Sequence, residues 1–393
     1  MEIKLNSLLE VTKAINTNAS TVELLDIFRK VAVEKLNIGR LVLFVNDNEW
    51  KCVLKFGTPD IPELNIDKDL TGIKEITYLS LAEGIQIPEF DVIVPVFHKA
   101  TPLAYVLIGD LNEESISVSP IIKHLPFIQT LTNIIVVAIE NKKLFRENIK
   151  QAAMQKELEL ASQMQSLLFP SSLPSDEVMD ISAFYFPHRQ VGGDYYDFVR
   201  LNENEIILCM ADVSGKGVPA ALLMSNFQAN LRSKLSHIQS LTDLVKELNH
   251  VVMQNAKGEK FITLFIARYN QVTRTLNYIN AGHNPPIVYS GNATTFLKTG
   301  CTGLGMFPEL PRIREGLVTL LPSTTLLCYT DGVVEVSDEE GNEFGTESLE
   351  KIMLNSAELT MAELNTIVIR GIDRHRRSMP YIDDITLLSC RFF

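Results

Sequence analysis

Between Pro126 and Pro170 the chain contains no proline. Proline stops helices because its ring removes a donor and clashes with the preceding turn. Its absence here permits one helix from about 122 to 168. Apolar residues recur at helical spacing: Leu131, Ile134, Ile135 and Ala138, then Phe145 and Ile149, then Leu160, Met164, Leu167 and Leu168. The middle, 146–159, is highly charged and interrupts the stripe. Such a helix reads as an exposed connector paired with its twin in a homodimer, or as one folded back on a neighbouring domain. Either way it divides the chain into a domain at 1–121, a helical and coiled-coil-like linker at 122–170, and a domain at 171–393.

The flanking segments differ. The first opens with an amphipathic helix (Leu5, Leu8, Leu9, Val11, Ile15). Ser20 with Glu23 is a capping box that starts a second helix. The runs RLVLFV, WKCVLKF, DVIVPVF and PLAYVLIGDL follow as mostly antiparallel strands, with Gly, Pro and Asp punctuating 57–67 and 83–91. The last segment has helices at 218–235, at 240–255 and from the Thr360–Glu363 capping box to about 374. Its strands include EIILCMADV, FITLFIARYN, TLNYINAG, PPIVYSG, TLLCYTDG and ITLLSCRF. Several are separated by hairpin-like turns, which points to antiparallel sheets with flanking helices and an α+β class.

Composition excludes some functions. The 36 basic and 48 acidic residues leave a net charge of −12, with no basic footprint for nucleic acid or an anionic membrane. No apolar run reaches the ~18 residues of a membrane span, and the first residues lack a signal core. Cysteines 52, 209, 301, 328 and 390 form no CxxC pair. Free thiols in a reducing cytoplasm are therefore expected.

Four aspartates sit where an apolar strand meets a tight turn or a glycine: Asp194 in VGGDYYD, Asp212 in ADVSGKG, Asp331 in TDGVVE and Asp384 in DDIT. Singly each is an ordinary turn residue. As a set they would repel one another unless cations lay between them, and all-oxygen ligation selects hard ions such as Mg²⁺ or Mn²⁺.

In order, the blocks ELELASQMQSLLFP (157–170), VGGDYYDF (191–198), ADVSGKGVPAALLMS (211–225), FITLF (261–265), NAGHNPP (280–286), TDGVVE (330–335) and DDIT (383–386) resemble the PPM-type, protein-phosphatase-2C-like metal-dependent phosphatases. The likeness is to the bacterial branch of sporulation stage II protein E and the general-stress phosphatases, from about Leu158 to the C-terminus. The resemblance implies an αββα sandwich and a pair of Mn²⁺ or Mg²⁺ ions. Asp212 would bridge the metals and the Val213 carbonyl would add a ligand. Asp331 and Asp384 would hold one metal, and Asp194 the other. It implies a phosphoserine or phosphothreonine substrate on a regulatory protein, such as an anti-sigma-factor antagonist.

Arg189 stands where relatives place a phosphate-binding arginine, although a solvated surface arginine reads equally well. Asp197 is expected to support the ligands from behind. Gly192, Gly193, Gly215 and Gly217 are expected to allow close backbone approach. Lys216 could touch phosphate. His283 is expected to hold a strand-end turn behind the site, and Asp383 to be a turn or supporting residue.

The first segment resembles a GAF-type sensory domain in pattern and architecture, which implies a small-molecule ligand of unknown identity, or dimerisation alone. The competing class is a catalytically silent adaptor that binds a phosphoprotein or ligand without turnover.

Overall fold

The computed structural model describes residues 2–47, 49–60, 64–81, 87–109, 124–235 and 240–393. The expected boundary at 121/122, the end of PLAYVLIGDL and the first residues of the linker lie outside the described residues. The chain forms two compact units, Met1–Ala153 and Met154–Phe393.

In the N-terminal unit, helices α1 (Glu2–Asn16) and α2 (Thr21–Lys30) precede strands β1 (Arg40–Asp47) and β2 (Glu49–Phe56). A short α3 (Ile66–Asp69), β3 (Thr77–Tyr78), β4 (Val92–His98) and β5 (Thr101–Gly109) follow. The capping box closes as expected. The Ser20 side chain accepts from the Glu23 amide, and the Ser20 amide donates to the Glu23 carboxylate at 2.6 Å. The sheet order is β2-β1-β5-β4-β3, with antiparallel pairs. Period-two alternation splits its apolar residues. Leu41, Leu43, Val94 and Val106 pack with Phe28 and with Leu131 and Ile135 of α4 (Leu125–Ser166). Val42, Phe44, Ile93 and Tyr105 face Ile66, Leu70 and Phe90. The linker is thus one helix, and the division between the units falls inside it.

The C-terminal unit continues with β6 (Met179–Phe186), β7 (Tyr195–Arg200), β8 (Glu205–Val213), α5 (Val218–Leu235), α6 (Leu241–Ala256), β9 (Ile262–Asn270) and β10 (Thr275–Ala281). Then come β11 (Ile287–Ser290), β12 (Ala293–Phe296), β13 (Gly300–Cys301), β14 (Gly316–Thr319), β15 (Thr324–Tyr329), α7 (Asp331–Val334), α8 (Gly345–Leu354), α9 (Met361–Arg376) and β16 (Ile385–Phe392). One sheet runs β13-β10-β9-β8-β7, with β14 beside β10. The other runs β12-β11-β15-β16-β6. All pairs are antiparallel except β10 with β13.

Three apolar layers stack these elements. Ile207, Cys209 and Ala211 of β8 pack on Phe227 of α5 and Leu248 of α6. Their alternates Leu208 and Met210 meet Phe265, Cys328, Leu388 and Phe392 between the sheets. Leu327 and Leu387 pack on Leu349 of α8 and Leu364 of α9. This is the αββα sandwich. Because β8 is covered on both faces, EIILCMADV reads as a continuous apolar run, although its sheet is antiparallel. No helix among the described residues is long and apolar enough to cross a membrane.

Phe265 is fully buried between the sheets. Phe265→Ala should lower the unfolding free energy by about 3–5 kcal/mol, read by urea denaturation. A loss below ~1 kcal/mol would mean that this layer is not a continuous core.

Candidate active site at the open end of the sandwich

Alternation decides which way each aspartate points. On β8, Leu208 and Met210 face between the sheets, so Asp212 at the strand end faces there too. By the same count Asp194 precedes Tyr195, which packs on the helix side. Thr330 follows Cys328, and Thr386 and Asp384 precede Leu388, again on the inter-sheet face. The cleft between the sheets therefore ends in a row of polar side chains drawn from both.

Asp194 ties the sheets together. It is buried, and its Oδ2 accepts from Thr330 Oγ1 at 2.8 Å and Thr386 Oγ1 at 2.5 Å. Asp384 accepts from the His188 amide on Oδ1 at 2.8 Å and from the Gly193 amide on Oδ2 at 2.7 Å. Glycine is required beside it. A Cβ on Gly192 would stand 2.2 Å from Asp384 Oδ2, and one on Gly193 would stand 2.9 Å from the Val213 carbonyl oxygen. Gly332, at the start of α7, lies against the Asp384 carbonyl, 2.0 Å from where its Cβ would be.

The electrostatics follow from this confinement. Burial pushes the Asp212 carboxyl up to about 7, reinforced by the charges of Asp331 and Asp383, while a hydrogen bond shared with Asp194 pulls the other way. Asp194 is raised well above the ordinary range, first by burial and then by Asp212 and Asp384. Asp331 is raised by burial and Asp383, and Asp384 by burial against the pull of its two amides. One cation is paired with this group: Lys216 Nζ lies 2.6 Å from Asp383 Oδ2 and also donates to the Ile382 carbonyl.

The structure brings the expected residues together and adds a neighbour to them. Asp194, Asp212, Val213, Asp331 and Asp384 do converge. Each Asp384 oxygen accepts from one backbone amide, which leaves a lone pair on both. Asp383, read from the sequence as a turn or supporting residue, is the one whose charge bears most on Asp331 and strongly on Asp212. Asp197 is elsewhere. An odd spacing from Asp194 puts it on the helix face of β7. There, fully buried, it accepts from Arg232 Nε and Nη2, both at 2.8 Å, and from the Tyr195 hydroxyl at 2.5 Å. Asp197 therefore fastens α5 to β7 and supports no metal ligand directly.

Arg189 is exposed. Its side chain lies beside the Gly217 turn, with Cδ 3.7 Å and Nη1 3.8 Å from the position of a Gly217 Cβ. His283 is buried. Its Nδ1 pairs with Thr263 Oγ1 at 2.8 Å and its amide donates to Asn280 Oδ1 at 2.8 Å, while Nε2 has no partner within hydrogen-bond distance. Burial lowers its pKa to about 3, slightly offset by the Tyr329 backbone, so the ring is neutral. Thr263 is the β9 partner of Asp212. His283 thus braces the strand end behind the carboxylates.

Two further participants are not singled out by pattern, although the first lies inside the quoted block 157–170. Gln165, near the end of α4, is buried. Its Nε2 donates to the Gly192 carbonyl at 2.7 Å, and its Oε1 accepts from the Gly192 amide at 3.2 Å. Tyr185 has a buried hydroxyl without a partner beside Gly192, under the ring of Phe169 at 4.7 Å between centroids. Thr330 and Thr386 were visible, being the neighbours of Asp331 and Ile385 inside the quoted blocks.

The donor set suits hard divalent ions: carboxylate and carbonyl oxygens only, crowded enough to raise their own pKa values, with one lysine among them. Among the described residues no three acidic, histidine or cysteine side chains already close around a single point. Asp194 is drawn to its threonines and Asp384 to its amides.

Comparison with known proteins agrees with this architecture. Residues 202–393 match the Stage II sporulation protein E (SpoIIE) family. The chain is 35% identical over 193 residues to phosphoserine phosphatase RsbU of Bacillus subtilis, covering 49% of this chain and 57% of that protein. It is 25% identical over 186 residues to phosphoserine phosphatase RsbP of the same organism, covering 46% of this chain and 45% of that one. The chain therefore spans about half the length of these curated relatives. The solved PP2C domain of SiaA from Pseudomonas aeruginosa superposes with a TM-score of 0.56 at 21% identity, over 62% of this chain and 99% of that one, which establishes the fold.

A carboxyl with a raised folded pKa stabilises the fold while protonated and loses that contribution as pH rises from its unfolded to its folded value. In EDTA, the melting temperature of the wild type relative to Asp212→Asn should fall between about pH 4 and pH 7, then level off. At ~2–4 °C per kcal/mol, a drop of several degrees is expected. A flat difference across that window would show that Asp212 is not crowded by burial and like charge.

Proposed function

From a C-terminal unit that is a SpoIIE/PP2C-type phosphatase domain, we propose that the protein is a metal-dependent phosphatase acting on phosphoserine or phosphothreonine of a regulatory protein, such as an anti-sigma-factor antagonist. The observation that carries this reading is the crowd of buried carboxylates with raised pKa values at the open end of the sandwich. Asp212, Asp331 and Asp383, with the Val213 carbonyl and with Asp194 behind them, would hold two Mn²⁺ or Mg²⁺ ions. Such ions supply charge neutralisation for the phosphoryl group and an acidified water to attack it.

The protein's own groups do the rest. Asp194, locked by Thr330 and Thr386, keeps the two sheet ends at fixed separation. Asp384, locked by amides, holds the 191–194 turn and so fixes the direction of Asp194. Arg189 stands beside the Gly217 turn at the rim, where its planar guanidinium suits two phosphoryl oxygens. Lys216 neutralises Asp383 until substrate arrives.

The N-terminal unit is proposed as a GAF-like sensor for a small molecule, in a cytoplasmic homodimer. Support comes from its sheet covered by helices on one face and from exposed apolar residues on α4: Leu144, Phe145, Ile149, Met154, Leu160 and Met164. Control would run along α4 to Gln165. Its paired hydrogen bonds to Gly192 make a rotation or shift of this helix end equivalent to a displacement of the adjoining Gly193–Asp194 segment.

The test is hydrolysis of p-nitrophenyl phosphate and a phosphoserine peptide with Mn²⁺, with Mg²⁺ and with EDTA. Asp212→Asn, Asp331→Asn and Asp383→Asn should each lose on the order of 10²-fold or more in kcat. Full activity of Asp383→Asn would return the ligand role to Asp384. Absence of metal-dependent turnover in the wild type would favour the silent adaptor. Gln165→Ala should keep its fold but need more Mn²⁺ for half-maximal rate, by about tenfold, the equivalent of one or two lost hydrogen bonds. An unchanged Mn²⁺ requirement would remove α4 from the control path.

A further inference from the structure

Large apolar side chains are exposed along one side of the carboxylate cluster. Val218 directly follows the Gly217 turn, and Leu222, one helical turn on, is 67% exposed. Phe261 stands next, its amide donating to Ser214 Oγ at 2.9 Å. Met306 and Phe307 complete the row at 43% and 46% exposure. A recess of about 320 Å³ opens beside Leu222, lined by Pro219, Leu223 and Ala256 and by the polar Asn226, Asn255, Glu259 and Lys260. Lys260 connects the parts. Its Nζ donates to the Ser214 carbonyl at 2.8 Å, and its own carbonyl lies against Gly305, 3.0 Å from the position of a Cβ there.

This exposure is held rigidly. Leu304 and Ile262 exchange backbone hydrogen bonds, both at 2.8 Å. Asn249 is 2% exposed; it accepts from the Gly305 amide at 2.8 Å and donates to the Phe307 and Pro308 carbonyls at 3.1 and 3.2 Å. Gly305 has a φ of +85°, and a Cβ there would meet Val252 Cγ1 at 2.6 Å. A buried amide and a turn that only glycine fits thus hold the backbone that presents Met306 and Phe307. Exposed apolar side chains gathered beside a cleft mark an interaction site, and Met and aromatic side chains are enriched at interfaces.

Continuity with the carboxylate end of the cleft identifies the occupant. A phosphoseryl side chain has only a methylene and an ester oxygen between backbone and phosphorus. A protein delivering its phosphate to the carboxylates must press the neighbouring residues onto the rim. On this side the rim is apolar, next to the cations of Arg189, Lys216 and Lys260 in a chain of net charge −12. We propose that Val218, Leu222, Phe261, Met306 and Phe307 receive an apolar side chain that flanks the phosphoserine of the protein substrate. This inference rests on the phosphatase reading above and adds a rule of substrate choice to it. The target is a phosphoserine with a large apolar neighbour, anionic at the phosphate and greasy beside it.

The experiment uses the full chain with Mn²⁺ and three probes: p-nitrophenyl phosphate, a phosphoserine peptide flanked by leucine and phenylalanine, and one flanked by glycine and serine. The wild type should prefer the apolar-flanked peptide by about tenfold in kcat/KM, chiefly through KM, as expected for one partly buried apolar side chain. Leu222→Glu and Phe307→Glu should each abolish that preference and leave p-nitrophenyl phosphate turnover unchanged, which also certifies their fold. Equal rates on the two peptides, or a preference that survives both substitutions, would overturn the docking surface while the phosphatase reading stands. Failure of the wild type on p-nitrophenyl phosphate would overturn both.

Discussion

The C-terminal unit is organised around a repulsion. Five carboxylates from four separate strands or strand ends converge at one end of the cleft, in surroundings dry enough to raise the pKa of four of them. Left to itself such a group would spread or take up protons. The fold prevents spreading by fixing the backbone on either side of each acid. Asp194 is tied to two threonines of the opposite sheet, Asp384 to the amides of His188 and Gly193, and the β9 partner of Asp212 to His283. Glycines at 192, 193 and 332 let these segments approach to distances no side chain allows. Three apolar layers supply the stability that this arrangement consumes. The site is stiff because it is buttressed from all sides.

Strand alternation explains both what the sequence revealed and what it hid. The fully buried runs were legible as strands, since a strand covered on both faces must be apolar at every position. The aspartates were legible because each interrupts such a run at a turn. Asp197, expected to support the ligands from behind, lies on the helix face for a reason also present in the sequence. On an extended chain an odd separation reverses the face, so Asp194 and Asp197 cannot both point into the cleft. Asp383 and Asp384 are neighbours, so one of them must point away from the other's partners. Their order in the block does not say which, because that depends on where the His188 and Gly193 amides fall. Gln165 lies inside the quoted block 157–170, but nothing there marks which residue turns inward. A glutamine on a charged helix has no pattern that separates it from its neighbours, and its partner is the backbone of a glycine.

Asp197 has a different use that follows from its burial. A fully buried carboxylate needs both a counter-charge and hydrogen bonds, and it receives them from Arg232, the Tyr195 hydroxyl and the Phe198 amide. The pair fixes α5 along β7. Since α5 begins at Val218, immediately after the Gly215 and Gly217 turn, the same ion pair sets the rotation of the helix that presents Leu222. A residue outside the carboxylate cluster therefore governs the surface beside it.

Chemistry and recognition are consequently separable in this fold. The carboxylate end of the cleft is made of strand termini held by the sandwich, and whatever it does to a phosphoryl group it does to any that reaches it. Selection must come from parts that can change without disturbing strand register. Two such parts adjoin the site. The apolar rim on α5 and the 303–307 loop is anchored from below by Asn249 and exposed above, so its side chains are free to differ. The end of α4 and the residues after it reach the site through Gln165, through the Gln155–Gln190 pair and through the aromatic contacts of Phe169 with Tyr185, Tyr195 and Tyr196. A shift of this helix end would bear on Gly192 directly, through both hydrogen bonds of Gln165. The repelling carboxylates between these two parts are what a small displacement can most easily unbalance.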